Sequence, residues 1–439
     1  MAMALFFAPL GYGAATPLTL AILDGLLASS FLAWVILLVV QKRVPRPPLL
    51  CVGCVLFLAI LGSLHWANPR SVHYEVFWVF NDLDGHIPWL PGTVDRAATQ
   101  PVVSHLFVLL LAFLVLLDAT SVSTCRWLLL RVLALSGFVI ALVGISQKAG
   151  GAESMLWSTP QQSGALFFGA FRYHANAASF LNLSWLAALA VWLRSRDNES
   201  NGLGSSLWAT VLLVTVIGVF VNTSKAGQML GVVGLIIAAI RFRRNFLAGT
   251  SSRVVTVLSI AVCVGVIGIA LLPSVVTSFD RWSGLISKNQ FAGRLQAYEL
   301  CLKMLPDSGW FGFGPGTFRL IFPFYREGAD DALGPFFWYH AHQDYLQTLI
   351  EWGYLGMAAW LTIFVGGGIR GTRAVLGARR HEIAESSVSC SLLAVFIVLL
   401  HGGVDFPFQI PAIQLQVAVY LAMLWTAHPS HQHRSHRRK

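Results

Sequence analysis

Two histidines at the start of an apolar run form the most chemically informative pattern of this sequence. His340 and His342 lie in the stretch 338–353, WYHAHQDYLQTLIEWG, whose apolar run also carries Asp344 and Gln347. Ionisable groups at a membrane boundary cost free energy and therefore often mark a site. A neutral histidine can accept a proton from a hydroxyl at neutral pH. The pattern indicates either a proton-accepting site or interfacial histidines that hydrogen-bond a loop.

The spacing after the second histidine predicts a helix that begins at this residue. His342, Leu346, Leu349 and Gly353 recur at helical intervals, with Gln347 on another face. The N-terminus of a helix carries partial positive charge, which suits an anion. Arginines on the same side of the membrane would match phosphate oxygens in bidentate fashion. The stretch therefore predicts a proton-accepting histidine beside an anion.

The composition indicates the class of protein that positions these residues. Apolar residues make up 56% of the 439 residues and charged residues 11%, and the mean hydropathy is +0.67. A soluble chain carries about 25% charged residues. The segment 1–17 lacks the basic region of a cleavable signal peptide. The sequence therefore predicts a single polytopic membrane domain over 1–439, an all-α integral membrane protein.

Apolar windows predict where the helices cross the bilayer, since a crossing needs roughly 20 apolar residues. This reading gives eleven spans, and a twelfth follows if 1–40 holds two short passes. The predicted spans are 17–40, 49–64, 101–119, 128–146, 174–193, 206–222, 228–240, 254–273, 342–368, 385–403 and 412–427.

Basic residues orient this predicted bundle. Nineteen of the 30 Lys and Arg residues occupy one alternating set of short loops and the tail 428–439, which the positive-inside rule assigns to the cytoplasm. The other 11 then face outward, and six of them lie in one long loop, 274–341. Topology thus accounts for the net charge of +10 without nucleic acid as a partner. A loop of this length is expected to carry part of a functional site.

The loop 274–341 has three predicted parts. Residues 292–304 have the spacing of an amphipathic helix, and residues 306–316 form a turn rich in Pro and Gly. Residues 322–337 are rich in aromatic side chains, which are expected at the membrane interface. These parts predict a structured outer loop beside the histidines.

Sequence signatures of several other enzyme classes are absent. The chain has no GxSxG nucleophile elbow, no HExxH zinc motif and no P-loop. Asp82, Asp84 and His86 are of metal-ligand type, but three such residues in a loop without a fourth partner are a weak pattern. We therefore expect neither a metal nor a cofactor.

Five segments resemble signature segments of the O-antigen ligase and polymerase superfamily. Together they cover about 168–412 in the expected order, and five in order are more specific than any one alone. They are FGAFRYHANAASFL (168–181), NTSKAG (222–227), GRLQAYELCLKMLPDSGWFGFGPGTF (293–318), AHQDYLQTLIEWGYLG (341–356) and HGGVDFPFQIPA (401–412).

This resemblance implies a fold, an activity and a location. The fold would be a GT-C-type bundle of 11–12 transmembrane helices with a large extracytoplasmic loop. The activity would be a membrane glycosyltransferase that takes a glycan from undecaprenyl diphosphate. The transfer to an acceptor would occur on the periplasmic face of the bacterial cytoplasmic membrane, with the C-terminus in the cytoplasm.

The resemblance also implies site residues, carried over position by position. His342 matches the essential histidine of the family, and Arg294 matches the arginine of the large loop. Lys225 stands where the family usually has arginine; lysine keeps the charge but loses the bidentate fork. Arg172, close to the segment of Asn176, is a further candidate.

The mechanism expected from these residues is inverting and independent of a metal. His342 would orient or deprotonate the acceptor hydroxyl, with His340 as a second candidate base. Four basic residues would hold the diphosphate and stabilise the negative charge that develops as the sugar C1–O bond breaks: Arg294, Lys225, Arg172 and Arg319. Three further residues are expected to hold these groups in position without contacting the substrate: Gln347, Asp405 and Asn176.

Four functions remain open at the level of sequence, among them the O-glycosylation of proteins, which some relatives with these motifs carry out. An O-antigen ligase joins a finished glycan to a lipid A-core acceptor, whereas an O-antigen or exopolysaccharide polymerase joins repeat units on the lipid carrier. A transporter of lipid-linked glycans would also use outer basic clusters. A transporter needs polar groups through the depth of the bundle, however, and the predicted spans are nearly bare of charge, with Asp24 as an exception. A ligase-like transferase is therefore the favoured interpretation.

Overall fold

The computed structural model of the chain describes residues 1–74, 78–157, 167–196, 202–243, 292–326, 338–377 and 383–427. Across these ranges the fold consists of thirteen α-helices and one two-stranded hairpin, so the prediction of an all-α integral membrane protein is confirmed. The predicted span 254–273, parts of the loop 274–341 and the tail 428–439 lie outside the described residues.

The helices follow one another along the chain with the strands between the third and the fourth. The strands are β1 (Ser71–Tyr74) and β2 (Val79–Asp82). The helices are α1 (Ala2–Leu10), α2 (Pro17–Val40), α3 (Leu49–Ala67), α4 (Arg96–Ser121), α5 (Ser123–Ala149), α6 (His174–Arg196), α7 (Gly202–Val221), α8 (Lys225–Arg241), α9 (Ala292–Ser308), α10 (Phe318–Arg326), α11 (Asp344–Gly377), α12 (Ile383–Gly402) and α13 (Pro411–Trp425).

Ten of the eleven predicted spans coincide with helices. Seven helices in the described ranges are long and apolar enough to cross a membrane, and Ser386–Gly402 and Pro411–Trp425 are shorter apolar helices. Helix α1 has nine residues, and at 1.5 Å per residue it is far too short for a hydrocarbon core of about 30 Å. The segment 1–40 therefore holds one crossing and one short helix rather than two crossings.

Helix α6 forms the centre of the bundle. Its 18-residue apolar window is 94% buried, whereas that of α2 is 11% buried and faces the surroundings of the bundle. Small residues permit the close packing: a Cβ atom at Gly227 of α8 would lie 2.3 Å from the side chain of Ala178 of α6. Close contact between small residues is a usual means of helix association in membranes. Because α6 is packed closely by its neighbours, the position of its first residues is fixed.

One intramembrane polar network joins three helices. Asp24 of α2 lies 2.6 Å from Nδ1 of His105 on α4, and Nε2 of His105 lies 3.0 Å from Oε1 of Gln414 on α13. The side-chain amide of Gln414 donates to the carbonyl of Phe408. Asp24, which the sequence marked as an exception, is therefore paired rather than isolated.

The predicted amphipathic helix of the outer loop is confirmed as α9. Its buried face consists of Ala297, Leu300, Cys301 and Met304, which pack against α10 and the start of α11. Leu295, whose helical spacing with Tyr298 and Leu302 was the basis of this prediction, is 58% exposed. The helix was predicted correctly, but a different face of it packs.

Helix α11 is interrupted at Gly353, where the backbone has φ +64°. The loop after α9 inserts at this break: the amide of Phe313 donates to the carbonyl of Ile350 at 2.9 Å, and the amide of Leu355 donates to the carbonyl of Trp310 at 3.2 Å. A Cβ atom at position 353 would lie 2.3 Å from the Trp310 carbonyl oxygen. We call this junction of 310–314 with 350–355 the loop clamp.

Candidate functional site

His342 lies two residues before α11, which begins at Asp344, so the prediction that the histidine begins the helix was wrong. Its backbone is left-handed, with φ +52°. The hydroxyl of Tyr298 on α9 donates to the His342 carbonyl at 2.8 Å and helps to hold this conformation. A non-glycine residue in this region costs free energy and persists where surrounding contacts impose it.

The imidazole of His342 is paired with the carboxylate of Asp405. Nδ1 of His342 lies 3.1 Å from Oδ1 of Asp405, which is 2% exposed and also accepts from the amide of Phe406 at 3.1 Å. A carboxylate only accepts when ionised, so Nδ1 carries the hydrogen and Nε2 is the basic nitrogen. Within the described ranges, Nε2 of His342 has no hydrogen-bond partner.

Arg294 contacts the other oxygen of the same carboxylate. Its Nη2 lies 3.8 Å from Oδ2 of Asp405, and its Nη1 donates to the carbonyl of Val404 at 2.9 Å. The hydroxyl of Tyr173 donates to Oδ2 of Asp405 at 3.3 Å and lies 3.4 Å from Nη2 of Arg294. The Arg294 side chain is 29% exposed, so part of its guanidinium faces open space. Asp405 thus joins a histidine and an arginine.

These contacts decide the charge of the central carboxylate. Burial alone would raise the pKa of Asp405, but the hydrogen bond from His342 and the positive charge of Arg294 lower the pKa below its ordinary value. Asp405 is therefore ionised at neutral pH. Burial raises the pKa of Tyr173, and the charge of Asp405 raises it further, so this hydroxyl stays protonated and remains a donor.

Aromatic rings enclose the charged centre. The ring of Phe406 stacks on Tyr173, with 5.4 Å between centroids, and on His340, with 4.4 Å. It is perpendicular to the imidazole of His342 at 4.9 Å, and Trp338 is perpendicular to the same imidazole at 5.5 Å. These rings fix the orientation of His342 and reduce access of water to its pairing with Asp405.

His340 is held in a different setting from His342. Burial lowers the pKa of His340 to about 4, with a further contribution from the nearby His342. Its Nδ1 lies 3.4 Å from Nε2 of Gln347, which also donates to Oε1 of Glu351 at 3.3 Å. That carboxylate oxygen accepts from the amide of Phe318 at 3.2 Å as well. Gln347 therefore links His340 to the loop clamp, as a support for the site.

Asp344 lies in the candidate site, although no role was predicted for it from the sequence. It is 1% exposed, and its carboxylate accepts from the amide of Phe408 at 2.9 Å and from the side chain of Gln409 at 3.1 Å. A Cβ atom at Gly402 would lie 3.4 Å from this carboxylate. Asp344 thus fixes the turn that carries Asp405. An acid in an apolar run was the available signal, although its partners 64 positions away were not predictable.

The other residues predicted for the site lie farther from Asp405 than His342 and Arg294 do. Lys225 is the first residue of α8, and its turn is tied to the start of α6 because the Asn222 side chain donates to the His174 carbonyl at 2.8 Å. Asn176 is buried as the third residue of α6, and its backbone N–H donates to the Tyr173 carbonyl at 3.1 Å. Arg172 is exposed beside Tyr173.

Arg319 lies on α10 and is half-buried. Its positive charge contributes to the lowered pKa of His340, which places it on the same side of the bundle as the centre. Among the described residues, no hydrogen bond or ion pair joins Arg319 or Arg172 to Asp405. The structure therefore brings Arg294 into the centre and leaves these two arginines at its border.

No group of three or more His, Cys, Asp or Glu side chains in the described ranges is placed to hold a metal ion. His86, considered as a ligand from its type, lies 3.1 Å through Nδ1 from the Asn68 side chain. Asn68 also donates to the carbonyls of Ile87 and Pro91. The polar residues of this turn therefore organise the segment between the hairpin and α4.

A cavity of about 290 Å³ lies between α4, α11 and α13, next to the centre. Asp344 and Phe408 line it where the site lies, and His105 and Gln414 line it further along. Its other walls are mostly Leu, Val, Phe and Trp side chains. A mainly apolar cavity with a few polar groups is the usual form of a site for an amphipathic ligand.

Comparison with known proteins supports one family. The family model described as O-antigen ligase matches residues 208–361. We call residues 208–361 the O-antigen ligase segment because of this match. No curated protein matches the chain. The O-antigen ligase segment covers about a third of the 439 residues and confirms the resemblance to this superfamily, which includes ligases and polymerases and implies glycosyl transfer in general.

The O-antigen ligase segment contains Lys225, Arg294 and His342 but ends before Asp405. The folded chain supplies that carboxylate from the turn before α13, and Tyr173 from the turn before α6. The centre is thus built from the family segment together with residues on both sides of it. Tyr173 was not singled out from the sequence, since a tyrosine next to Arg172 has no distinctive spacing.

Proposed function

We propose that the chain is an O-antigen ligase-like glycosyltransferase, which moves a glycan from a polyprenyl diphosphate, undecaprenyl diphosphate by resemblance, to an acceptor hydroxyl. The reaction would take place at the periplasmic face of the bacterial inner membrane. The observation that carries this proposal is the pairing of His342 with Asp405, with Arg294 on the same carboxylate. The match of 208–361 to the O-antigen ligase family supports it.

The pairing favours general base catalysis. Asp405 accepts a hydrogen bond from the N–H at Nδ1. Its negative charge stabilises the positive charge that the imidazole gains when Nε2 takes a proton. The acceptor hydroxyl would donate its proton to Nε2 as its oxygen attacks the sugar C1. The carboxylate stays ionised throughout, because its pKa is lowered by its neighbours.

Basic residues would hold the leaving group. Arg294 uses only part of its five N–H donors on Val404, Tyr173 and Asp405, so the rest can bind diphosphate oxygens. Lys225, Arg172 and Arg319 would neutralise the charge that grows on the bridging oxygen as the C1–O bond breaks.

A single displacement would invert the configuration at C1. The acceptor oxygen forms its bond to C1 on one face while the diphosphate leaves from the other, and the proton goes to His342. The apolar cavity between α4, α11 and α13 is a suitable place for part of the lipid chain of a substrate.

Reconstitution with defined substrates tests this function. The purified protein in lipid nanodiscs would receive a polyprenyl-diphosphate glycan with either lipid A-core or a second lipid-linked repeat unit. Elongation of lipid A-core identifies a ligase, and elongation of the second repeat identifies a polymerase. NMR of the product would show an inverted anomeric centre. Absence of transfer to both acceptors, with His342→Ala behaving like the unmodified protein, would overturn the proposal and favour a transporter.

A further inference from the structure

Two large aromatic residues precede the central histidine. The indole of Trp338 is perpendicular to the imidazole of His342, with 5.5 Å between centroids, and packs on Phe322 of α10 at 6.1 Å. Tyr339 is 60% exposed. The first ring is therefore fixed between α10 and the histidine, and the second is presented at the surface.

The geometry of proton transfer restricts where an acceptor can lie. This step rests on the proposed function: a hydroxyl that gives its proton to Nε2 must approach within about 3 Å. The Nδ1 edge of His342 is occupied by Asp405, and Phe406 packs against the imidazole at 4.9 Å. Trp338, at 5.5 Å between centroids, and Tyr173, at 6.2 Å, are further rings that pack against the imidazole, and Trp338 is followed by the exposed Tyr339.

The chemistry of this segment fits an uncharged sugar ring. Residues 338–343 contain no Lys, Arg, Asp or Glu, so they offer no charge to a phosphate. A pyranose has an apolar face of C–H groups and a rim of hydroxyls. Trp and Tyr combine a large rigid apolar ring with a polar N–H or O–H, which matches both parts of the sugar.

We propose that Trp338 and Tyr339 form a platform that binds the acceptor saccharide and sets its hydroxyl against Nε2 of His342. Arg294 and the basic residues predicted around it, Arg172, Arg319 and Lys225, would then be left for the diphosphate of the donor. Donor and acceptor would be recognised by different chemistry: charge for one, aromatic stacking for the other.

Kinetics at fixed donor and varied acceptor concentration test the platform. Trp338→Ala and Tyr339→Ala should each raise the KM for the acceptor about 3- to 10-fold, with the KM for the donor unchanged. Trp338→Phe should recover most of the acceptor affinity because it restores an aromatic face. Trp89→Ala is the matched control, since Trp89 is 75% exposed in the segment between β2 and α4 and lies outside the site.

A binding measurement separates this platform from the proposed reaction. Saturation-transfer NMR with the lipid-free acceptor oligosaccharide should show contact with the unmodified protein and a clear loss in Trp338→Ala. An unchanged acceptor KM together with unchanged saturation transfer in both alanine variants would overturn the platform, even if glycan transfer is robust. Conversely, saccharide contact that depends on Trp338 in a protein without transferase activity would support the platform and overturn the proposed function.

Discussion

Oδ1 of Asp405 lies 3.1 Å from Nδ1 of His342, although the two residues are 63 positions apart in the chain. The carboxylate is buried at the turn before α13, and the histidine precedes α11 in a left-handed conformation. The contact gives the imidazole a fixed tautomer, a fixed orientation and a counter-charge. Each consequence can be tested by a separate substitution.

Replacement of His342 tests its role as the base. His342→Ala is expected to lower kcat for glycan transfer by about 10²- to 10⁴-fold, the range usual for a lost general base. The KM for the lipid-linked donor should change little, because the diphosphate is held by other residues. Undiminished transfer with normal protein levels in the membrane would refute this role.

Asp405→Asn tests the role of the buried charge, since the asparagine has almost the same shape. The amide can donate to Nδ1, which would favour the tautomer with the hydrogen on Nε2 and remove the base. We expect a loss of kcat of about 10²-fold or more, similar to that of His342→Ala. The double variant should be no slower than the slower single variant, whereas additive losses would indicate that the two residues act separately.

Arg294→Lys tests whether a fork of N–H donors is needed as well as a positive charge. Lysine lacks the bidentate geometry, so donor KM should rise and kcat should fall, by about 10-fold or more overall. Lys303→Ala serves as the control, because Lys303 is an exposed cation on the same helix. Equal behaviour of the two variants would mean that Arg294 contributes only general positive charge.

His340 makes a prediction about stability and pH. The unfolded chain gains a proton at a histidine below about pH 6.5, whereas the folded chain keeps His340 neutral until its pKa of about 4. The unfolded state therefore binds more protons between these values, and acidification from pH 7 to pH 5 lowers the free energy of unfolding.

His340→Gln should reduce this pH dependence while keeping a polar contact for Gln347. The slope removed is up to about 1.4 kcal/mol per pH unit. Thermal unfolding in detergent at pH 7 and pH 5 measures it: the drop in Tm on acidification should be smaller in the variant. A drop as large as that of the unmodified protein would show that His340 is protonated in the folded state.

The geometry of the loop clamp predicts that one added methyl group at position 353 lowers the stability of the protein. Gly353→Ala adds a Cβ atom 2.3 Å from the Trp310 carbonyl at a backbone of φ +64°, so we expect destabilisation of at least about 2 kcal/mol. Gly368→Ala is the matched control on the same helix, because its Cβ atom meets nothing within 4 Å. Its effect should stay within about 1 kcal/mol and favour the helix. Similar Tm values for the two variants would contradict a rigid clamp.

The sequence was most informative where one physical property decides the outcome. Apolar length predicted ten helices, because a bilayer crossing depends mainly on the local run of residues. The break at Gly353 was missed, since an isolated glycine in an apolar run is compatible with a helix and the clamp partner lies about 40 positions earlier.

The site was predictable in its residue types and only partly in its arrangement. His342 stood out because an ionisable group before an apolar run is unusual. Asp405 was expected as a support, but its direct contact with His342 depends on the packing of α12 and α13 against α11. Asp344 and Tyr173 form hydrogen bonds with residues far along the chain, and local spacing in the sequence does not predict such contacts.

The loop clamp has a consequence for how relatives of this protein can diverge. The backbone amides of Phe313 and Gly314 donate to the carbonyls of Ile350 and Glu351 at the interrupted turn of α11, and the amide of Leu355 donates to Trp310 rather than to Glu351. An insertion or deletion within 310–318 would leave these groups unpaired in apolar surroundings. Evolutionary change in the length of the outer loop should therefore fall outside this short segment, which is inherited as part of the helix that it completes.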